Sequence, residues 1–301
     1  MKLLNELLNI KYPIIQGGMT HISNGIFAAQ CSNSGALGVI ASGGMLPEQL
    51  KKEIRDCREH TDKPFGVNIV MNHPYIDDIL NLVVLESVPV VITGNGDPSA
   101  YVKQMKEAGI FVIPVVGYPQ AARFLERAGV DAIIAEGSES GGHIGHMSTM
   151  VLVPQVCDNT KLPVIAAGGI ADPRQYKAAL DLGACGVQVG TILLSSNECP
   201  IHPNYKEAVL KARSTDSVVT GELLGDPVRV IKNHMTDQYI EYEKKALDTE
   251  ALQLLTLNSL KKAVFDGDIE TGSMMAGTVC GQINSIKSLD MIFSDLCKDF
   301  L

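Results

Sequence analysis

An α/β chain closed into a (β/α)8 TIM barrel is the fold this 301-residue sequence predicts. Three observations point to it. Eight short runs rich in β-branched residues recur along the first two-thirds of the chain, with segments of helical spacing between them. Proline and glycine punctuate those segments where helices start and stop. Glycine-bearing loops follow the last two runs, where such barrels commonly bind phosphate.

The runs are Pro13 to Gln16, Leu37 to Ala41, Phe65 to Val70, Val88 to Thr93, Phe111 to Val116, Asp131 to Ala135, Pro163 to Ala167 and Gly186 to Gly190. Eight is the count a closed barrel requires. Between them, Asp97-Pro98, Tyr118-Pro119 and Asp172-Pro173 place proline near the first helical position, and Gly109, Gly129 and Gly183 stand where a helix ends. Leu50, Ile54 and Cys57, like Ala121, Leu125 and Ala128, fall at i, i+4, i+7 and predict buried stripes. Met1 to Ile10 predicts a short amphipathic helix, since Glu6 interrupts the apolar run and no small-residue cleavage site follows. A doubly wound open sheet is the competing arrangement.

Beyond about residue 196 the pattern changes. Pro203 to Arg213 and Asp237 to Leu260 read as helices, few strand-like runs remain, and charge density rises. Small and apolar residues return in Gly272 to Gly281, which suits a chain coming back to the barrel mouth before a closing helix. The expectation is a barrel of residues 1–196 and 272–301 with a small helical cap of residues 197–271.

Composition narrows the partners. With 46% hydrophobic and 20% charged residues the chain can bury a sizeable core and is not disordered. Lys plus Arg number 25 against 34 Asp plus Glu, a net charge of −9, with no basic run, no tryptophan and only 5% aromatics. Nucleic acid is therefore not an expected partner. Apolar runs such as Phe111 to Val116 fall far short of the roughly 20 residues that span a bilayer, so no membrane partner is expected. Seven scattered cysteines without a C-x-x-C pair suggest neither a disulfide framework nor a zinc site, and fit a reducing cytoplasm.

In such a barrel the loops at the C-terminal strand ends form the active site. Ala166-Ala-Gly-Gly-Ile170 and Gln188-Val-Gly-Thr191 offer unhindered N–H groups and the Thr191 hydroxyl to a phosphate. Gln16-Gly17-Gly18-Met19 and Asn68 suit a planar ring lying close to backbone. The densest signal is Glu136-Gly-Ser-Glu-Ser-Gly-Gly-His143-Ile-Gly145. Glycine neighbours give His143 no packing partners, and an imidazole there could donate a hydrogen bond or a proton to a carbonyl-type oxygen. His146, three residues on, is its nearest competitor. A metal held by the two would need further ligands from Glu136 or Glu139, and no metal is expected. His60, His73, His202 and His234 lie in surface or capping contexts, and His21 borders the Gly17-Gly18 loop. No G-x-S-x-G elbow, Walker loop or strand-then-G-x-G-x-x-G unit is present, which disfavours hydrolase, kinase and Rossmann dehydrogenase chemistry.

These residues resemble a known family. Gln16-Gly-Gly-Met19, Pro64-Phe-Gly-Val-Asn-Ile69, Ile134-Ala-Glu-Gly137, Gly141-Gly-His-Ile-Gly145, Ile165-Ala-Ala-Gly-Gly-Ile170 and Val187-Gln-Val-Gly-Thr191 are similar to the nitronate monooxygenase (2-nitropropane dioxygenase-like) superfamily. Within it, the His143 loop with His202-Pro-Asn-Tyr-Lys206, Val228 to Asn233 and Ser273-Met-Met-Ala-Gly277 resembles the flavin-dependent enoyl-acyl-carrier-protein reductase II branch. His146 stands where those reductases often carry Lys or Arg.

The resemblance implies a noncovalent FMN at the barrel mouth. Gly17, Gly18, Met19, Asn68, Glu136 and Gly142 would lie along the flavin, and Gly168, Gly169, Gln188, Gly190 and Thr191 would hold its phosphate. His143 would be the catalytic residue facing the substrate, with Met275 and Ala276 contacting it. The implied reaction uses NADH or NADPH to reduce a trans-2-enoyl thioester on acyl carrier protein, the last step of the fatty acid elongation cycle. A monovalent cation and a homodimer are further implications. Oxidation of alkyl nitronates by oxygen is the alternative. An acidic carrier would need a local basic patch on this acidic chain, for which Lys206, Lys211, Arg213, Arg229 and Lys232 are candidates.

Overall fold

The structure, a computed structural model, describes residues 2–245 and 249–298. In chain order the strands are β1 (Ile14–Gln16), β2 (Gly38–Ala41), β3 (Phe65–Val70), β4 (Val90–Gly94), β5 (Phe111–Val116), β6 (Ile133–Glu136), β7 (Gly142–His143), β8 (Val164–Ala167), β9 (Gly186–Val189), β10 (Ser217–Thr220) and β11 (Val228–Ile231). The larger sheet runs β1-β9-β8-β6-β5-β4-β3-β2, every pair parallel. Leu37 then bridges back to Ile15: the Gln16 N–H donates to Leu37 O and the Leu37 N–H to Ile14 O, both at 2.9 Å. The sheet has no free edge, which excludes an open doubly wound arrangement.

Alternation along the strands sorts the apolar residues into two cores, because successive side chains point to opposite faces. Ile14, Val67, Val91, Val112, Ile133, Val164 and Val187 pack outward against the helices. Ile15, Val39, Ile92, Ile113, Ile134 and Ile165 fill the interior, and Leu4 and Leu8 of the helix Leu4–Leu8 join them. The N-terminal segment is thus a plug in the barrel's interior core, with the Leu4 N–H donating to Cys185 O at 2.9 Å. Each fully buried Leu or Ile here contributes about 2 kcal/mol of apolar burial.

The segment after β9, expected as a small helical cap with few strand-like runs, contains both helices and strands. It contains helices at Pro203–Lys211, His234–Lys244, Thr249–Thr256 and Ser259–Lys261. It also contains β10 and β11, which pair antiparallel and recruit β7 from the His143 loop into a three-stranded sheet. These strands are four residues long and mostly half-exposed, so they carry no strong period, and their third partner lies far away in sequence. The chain returns through Met275, which bridges Val230, to the helix Leu289–Cys297. No helix of the described residues is long and apolar enough to cross a membrane.

Candidate active site

One cavity of about 920 Å³ opens at the C-terminal ends of the barrel strands. Gly17, Gly18, Met19, Asn68, Glu136, Gly142, His143, Gly168, Gly169, Gln188, Gly190, Thr191 and Met275 all line it. Ala276 is not on the lining: it is 1% exposed, with its backbone packed beside Gly141.

The loop after β1 is braced from below. Gln16 is fully buried; its Nε2 donates to Ser23 Oγ at 3.1 Å while its Oε1 accepts from the Val39 N–H at 2.9 Å. Ser23 Oγ in turn donates to Gly17 O and accepts from the Met19 N–H. The Gly17-Gly18-Met19 backbone is therefore fixed by buried polar groups, the arrangement that rigidifies a site. A Cβ on Gly18 would stand 2.5 Å from Asn68 Cβ, so only glycine lets the loop lie flush against Asn68.

The opposite wall is built from the turn after β8. Gly168 and Gly169 both have positive φ, +92° and +75°, turning two consecutive peptides in a conformation that side chains resist. Thr149, at the start of the helix Thr149–Asn159, donates its hydroxyl toward Ala167 O and Gly168 O. Its N–H donates to the Glu139 carboxylate at 2.9 Å, so Glu139 closes that helix's N-terminus and fastens the loop of residues 137–141 to the glycine turn. Beyond β9, Thr191 Oγ1 accepts from the Gly277 N–H at 2.8 Å, which leaves the hydroxyl proton free to donate into the cavity.

Glu136 ends β6 at the cavity wall. Burial pushes its carboxyl up to about 7, against a smaller opposing pull from Ser140. His143 is not on a free loop: it pairs with Val228 in the cap sheet, and the next residue's N–H donates to Pro227 O at 3.0 Å. Its ring remains 60% exposed, with Nε2 3.4 Å from Asp226 Oδ1.

One lining atom, Gln188 Oε1, is buried without a hydrogen-bond partner. Buried polar atoms are normally paired, so this amide oxygen is suited to a polar ligand in the cavity. The lining includes no lysine or arginine among the described residues. Peptide N–H groups, one hydroxyl and one amide at one end, and flush backbone at the other, fit a planar ring with a phosphoryl tail. The residues present thus fit FMN.

Sequence reasoning missed Gln16, Ser23, Glu139, Thr149 and Asp226 as supports of this site. Glu139 lies ten residues from its partner Thr149, and Asp226 is separated from His143 by several helices and strands, distances at which no local pattern operates. The candidate basic patch has local partners. Arg229 is half-buried with Nε donating to Ser138 O, and Lys206 donates to Ser196 O. Lys211, Arg213 and Lys232 are paired with Glu207, Asp216 and Asp237. Three of the five cations are thus offset by a carboxylate, while Arg229 and Lys206 keep their charge and donate to carbonyls. His202, expected to cap, does so, its Nδ1 accepting from the Asn204 N–H.

Known proteins with this arrangement are numerous. FabK from Thermotoga maritima superposes with a TM-score of 0.96 at 45% identity, covering 100% of this chain and 96% of that one. A Staphylococcus saprophyticus protein named "Probable nitronate monooxygenase" is 34% identical over 318 residues, 90% of each chain. A Mycobacterium tuberculosis protein named (3aS,4S,5R,7aS)-5-hydroxy-7a-methyl-1-oxo-octahydro-1H-indene-4-carboxyl-CoA dehydrogenase is 30% identical over 336 residues, 98% of this chain and 95% of that one. The nitronate monooxygenase family pattern matches residues 1–299. The chain belongs to the nitronate monooxygenase family, whose members are FMN-dependent oxidoreductases built on the (β/α)8 barrel.

Proposed function

We propose that this protein is an FMN-dependent enoyl-acyl-carrier-protein reductase, reducing trans-2-enoyl thioesters with NADH or NADPH. The observation that carries the reading is the full-length likeness to FabK, an enoyl-acyl-carrier-protein reductase II. His143 adds to it, held by β7 over a cavity whose far wall is a glycine cradle.

Bound in the cavity, FMN would supply the two-electron transfer from nicotinamide to the β-carbon of the substrate. The chain's own residues do the rest. Gly17, Gly18, Met19 and Asn68 hold the ring, with Glu136 and Gly142 beside it. Gly168, Gly169, Gly190 and Thr191 direct donors at the phosphate, and the Gln188 amide completes that shell. His143 donates a hydrogen bond to the thioester oxygen, stabilising charge there, and is placed to deliver the proton that the α-carbon takes up. Met275 flanks the substrate.

A nitronate monooxygenase is the second reading, favoured by the name of the Staphylococcus saprophyticus relative. In it the same His143 would assist oxidation of an alkyl nitronate by oxygen, with no nicotinamide. Anaerobic mixing of the yellow protein with NADH or NADPH separates the two. Bleaching of the flavin, followed by recolouring on addition of crotonyl thioester, is the expected result. Bleaching by alkyl nitronate alone, with no response to either nicotinamide, would overturn the proposal in favour of the second.

A further inference from the structure

The cavity is chemically two-ended. Its polar donors gather at the Gly168-Gly169 turn and Thr191. Beside β5 and the helix that follows it, the lining is instead Val115, Ala121, Phe124 and Leu125, with Tyr118, Ile144 and the single polar side chain of Gln120. Ala121, Phe124 and Leu125 lie at i, i+3 and i+4 on the helix Gln120–Ala128, so they share one stripe. Leu125 belongs to the core, yet Phe124 is 54% and Tyr118 59% exposed. Isolated exposed aromatics are ordinary. Here two of them flank a cavity wall rather than open surface. The catalytic loop meets this wall directly: a Cβ on Gly145 would stand 3.4 Å from Gly117 Cα, so Ile144 passes over the end of β5. The apolar arm therefore begins two residues from His143 at most, with no lysine or arginine along its lining.

We infer that this arm, walled by Ala121, Phe124 and Leu125 and roofed by Tyr118 and Ile144, holds the hydrocarbon chain of the acyl substrate, and that Phe124 and Ala121 set how long a chain is accepted. The inference rests on the thioester reading above. A thioester whose oxygen meets His143 has one apolar and one polar extension. The polar extension is the carrier arm, which has no cost in water, and the apolar extension is driven to the wall that can bury it. Phe124 and Tyr118 then exchange their exposed faces for contact with methylene groups.

The test measures binding separately from turnover. The flavin-loaded protein is titrated with saturated butyryl-, octanoyl- and dodecanoyl-CoA, which cannot be reduced, by calorimetry. Affinity is expected to rise by up to about fourfold for each methylene buried until the arm is full. Phe124→Ser, at an exposed position, should weaken dodecanoyl binding at least tenfold more than butyryl binding, and Ala121→Leu should shorten the longest chain that still gains affinity. Equal affinity for all three chain lengths, or a Phe124→Ser loss uniform across them, overturns the inference. Graded binding without nicotinamide-driven turnover would sink the reductase reading alone, because chain discrimination would then stand without reduction.

Discussion

His143 and Asp226 face one another across the cap sheet, Nε2 to Oδ1 at 3.4 Å, although neither belongs to a barrel strand. Both side chains are well exposed, so the pair adds little to stability. Its consequence is orientational. The Gly225-Asp226-Pro227 turn holds the carboxylate over the cavity, and the Leu223 N–H, donating to the buried Glu243 carboxylate at 2.7 Å, anchors that turn. The imidazole is thereby aimed from a second element.

For His143→Ala the expected outcome is a protein that stays yellow and loses turnover by about 10²- to 10⁴-fold, the usual worth of a positioned proton donor. Asp226→Asn should lower kcat less, by about tenfold or under, and leave the rate of flavin reduction by nicotinamide as it was. Stopped-flow measurement of the two half-reactions checks both. Unchanged turnover in His143→Ala would remove the residue from the mechanism.

Glu136 gives a pH signature. Its carboxyl is raised from an ordinary value of 4.5 to about 7 by burial. Between those values the folded chain binds more protons than the unfolded one, so stability falls as pH rises through this window and is flat above it. Glu136→Gln carries no charge to bury. In urea unfolding of the apoprotein it should be more stable than the parent at pH 8 by on the order of 2 kcal/mol, the gap closing below about pH 4.5.

Gly168 has φ +92° and no room for a methyl group, since a Cβ would lie 2.8 Å from Gly137 O. Gly168→Ala is expected to lower stability by about 1–3 kcal/mol and to release the cofactor on gel filtration. A soluble, fully flavin-loaded Gly168→Ala protein would contradict the cradle.

Thr191→Val keeps the side-chain volume but removes the hydroxyl that accepts from the Gly277 N–H and lines the cavity. Two effects are expected together: FMN affinity falls about tenfold, and the Gly277 N–H loses its acceptor, costing about 1–2 kcal/mol in thermal unfolding. An unaltered FMN dissociation constant would place the phosphate elsewhere.

The barrel was legible because its signals are local. Val/Ile runs such as Phe111 to Val116, Pro173 at a helix start and Gly129 at a helix end each declare their own element within a few residues. The glycine loops were legible for the same reason. The cap was not, because β10 and β11 owe their existence to pairing with each other and with β7, and a four-residue half-exposed strand has no period to read. The bracing of Gly17 by Gln16 and Ser23, and the Glu139 to Thr149 contact, depend on where the closed barrel carries each loop. The acceptors of Arg229 and Lys206 were not legible, because charge alone does not say whether a carbonyl lies beside it.

A phosphoryl group seated at the Gly168-Gly169 turn, where no lysine or arginine among the described residues lines the cavity, would be held by peptide dipoles fixed in the fold. Such dipoles attract few counterions from solution, so little salt is displaced when the tail enters and little returns when it leaves. Retention of the coenzyme should accordingly be nearly indifferent to ionic strength, surviving high-salt washing that strips nucleotides from lysine-lined pockets.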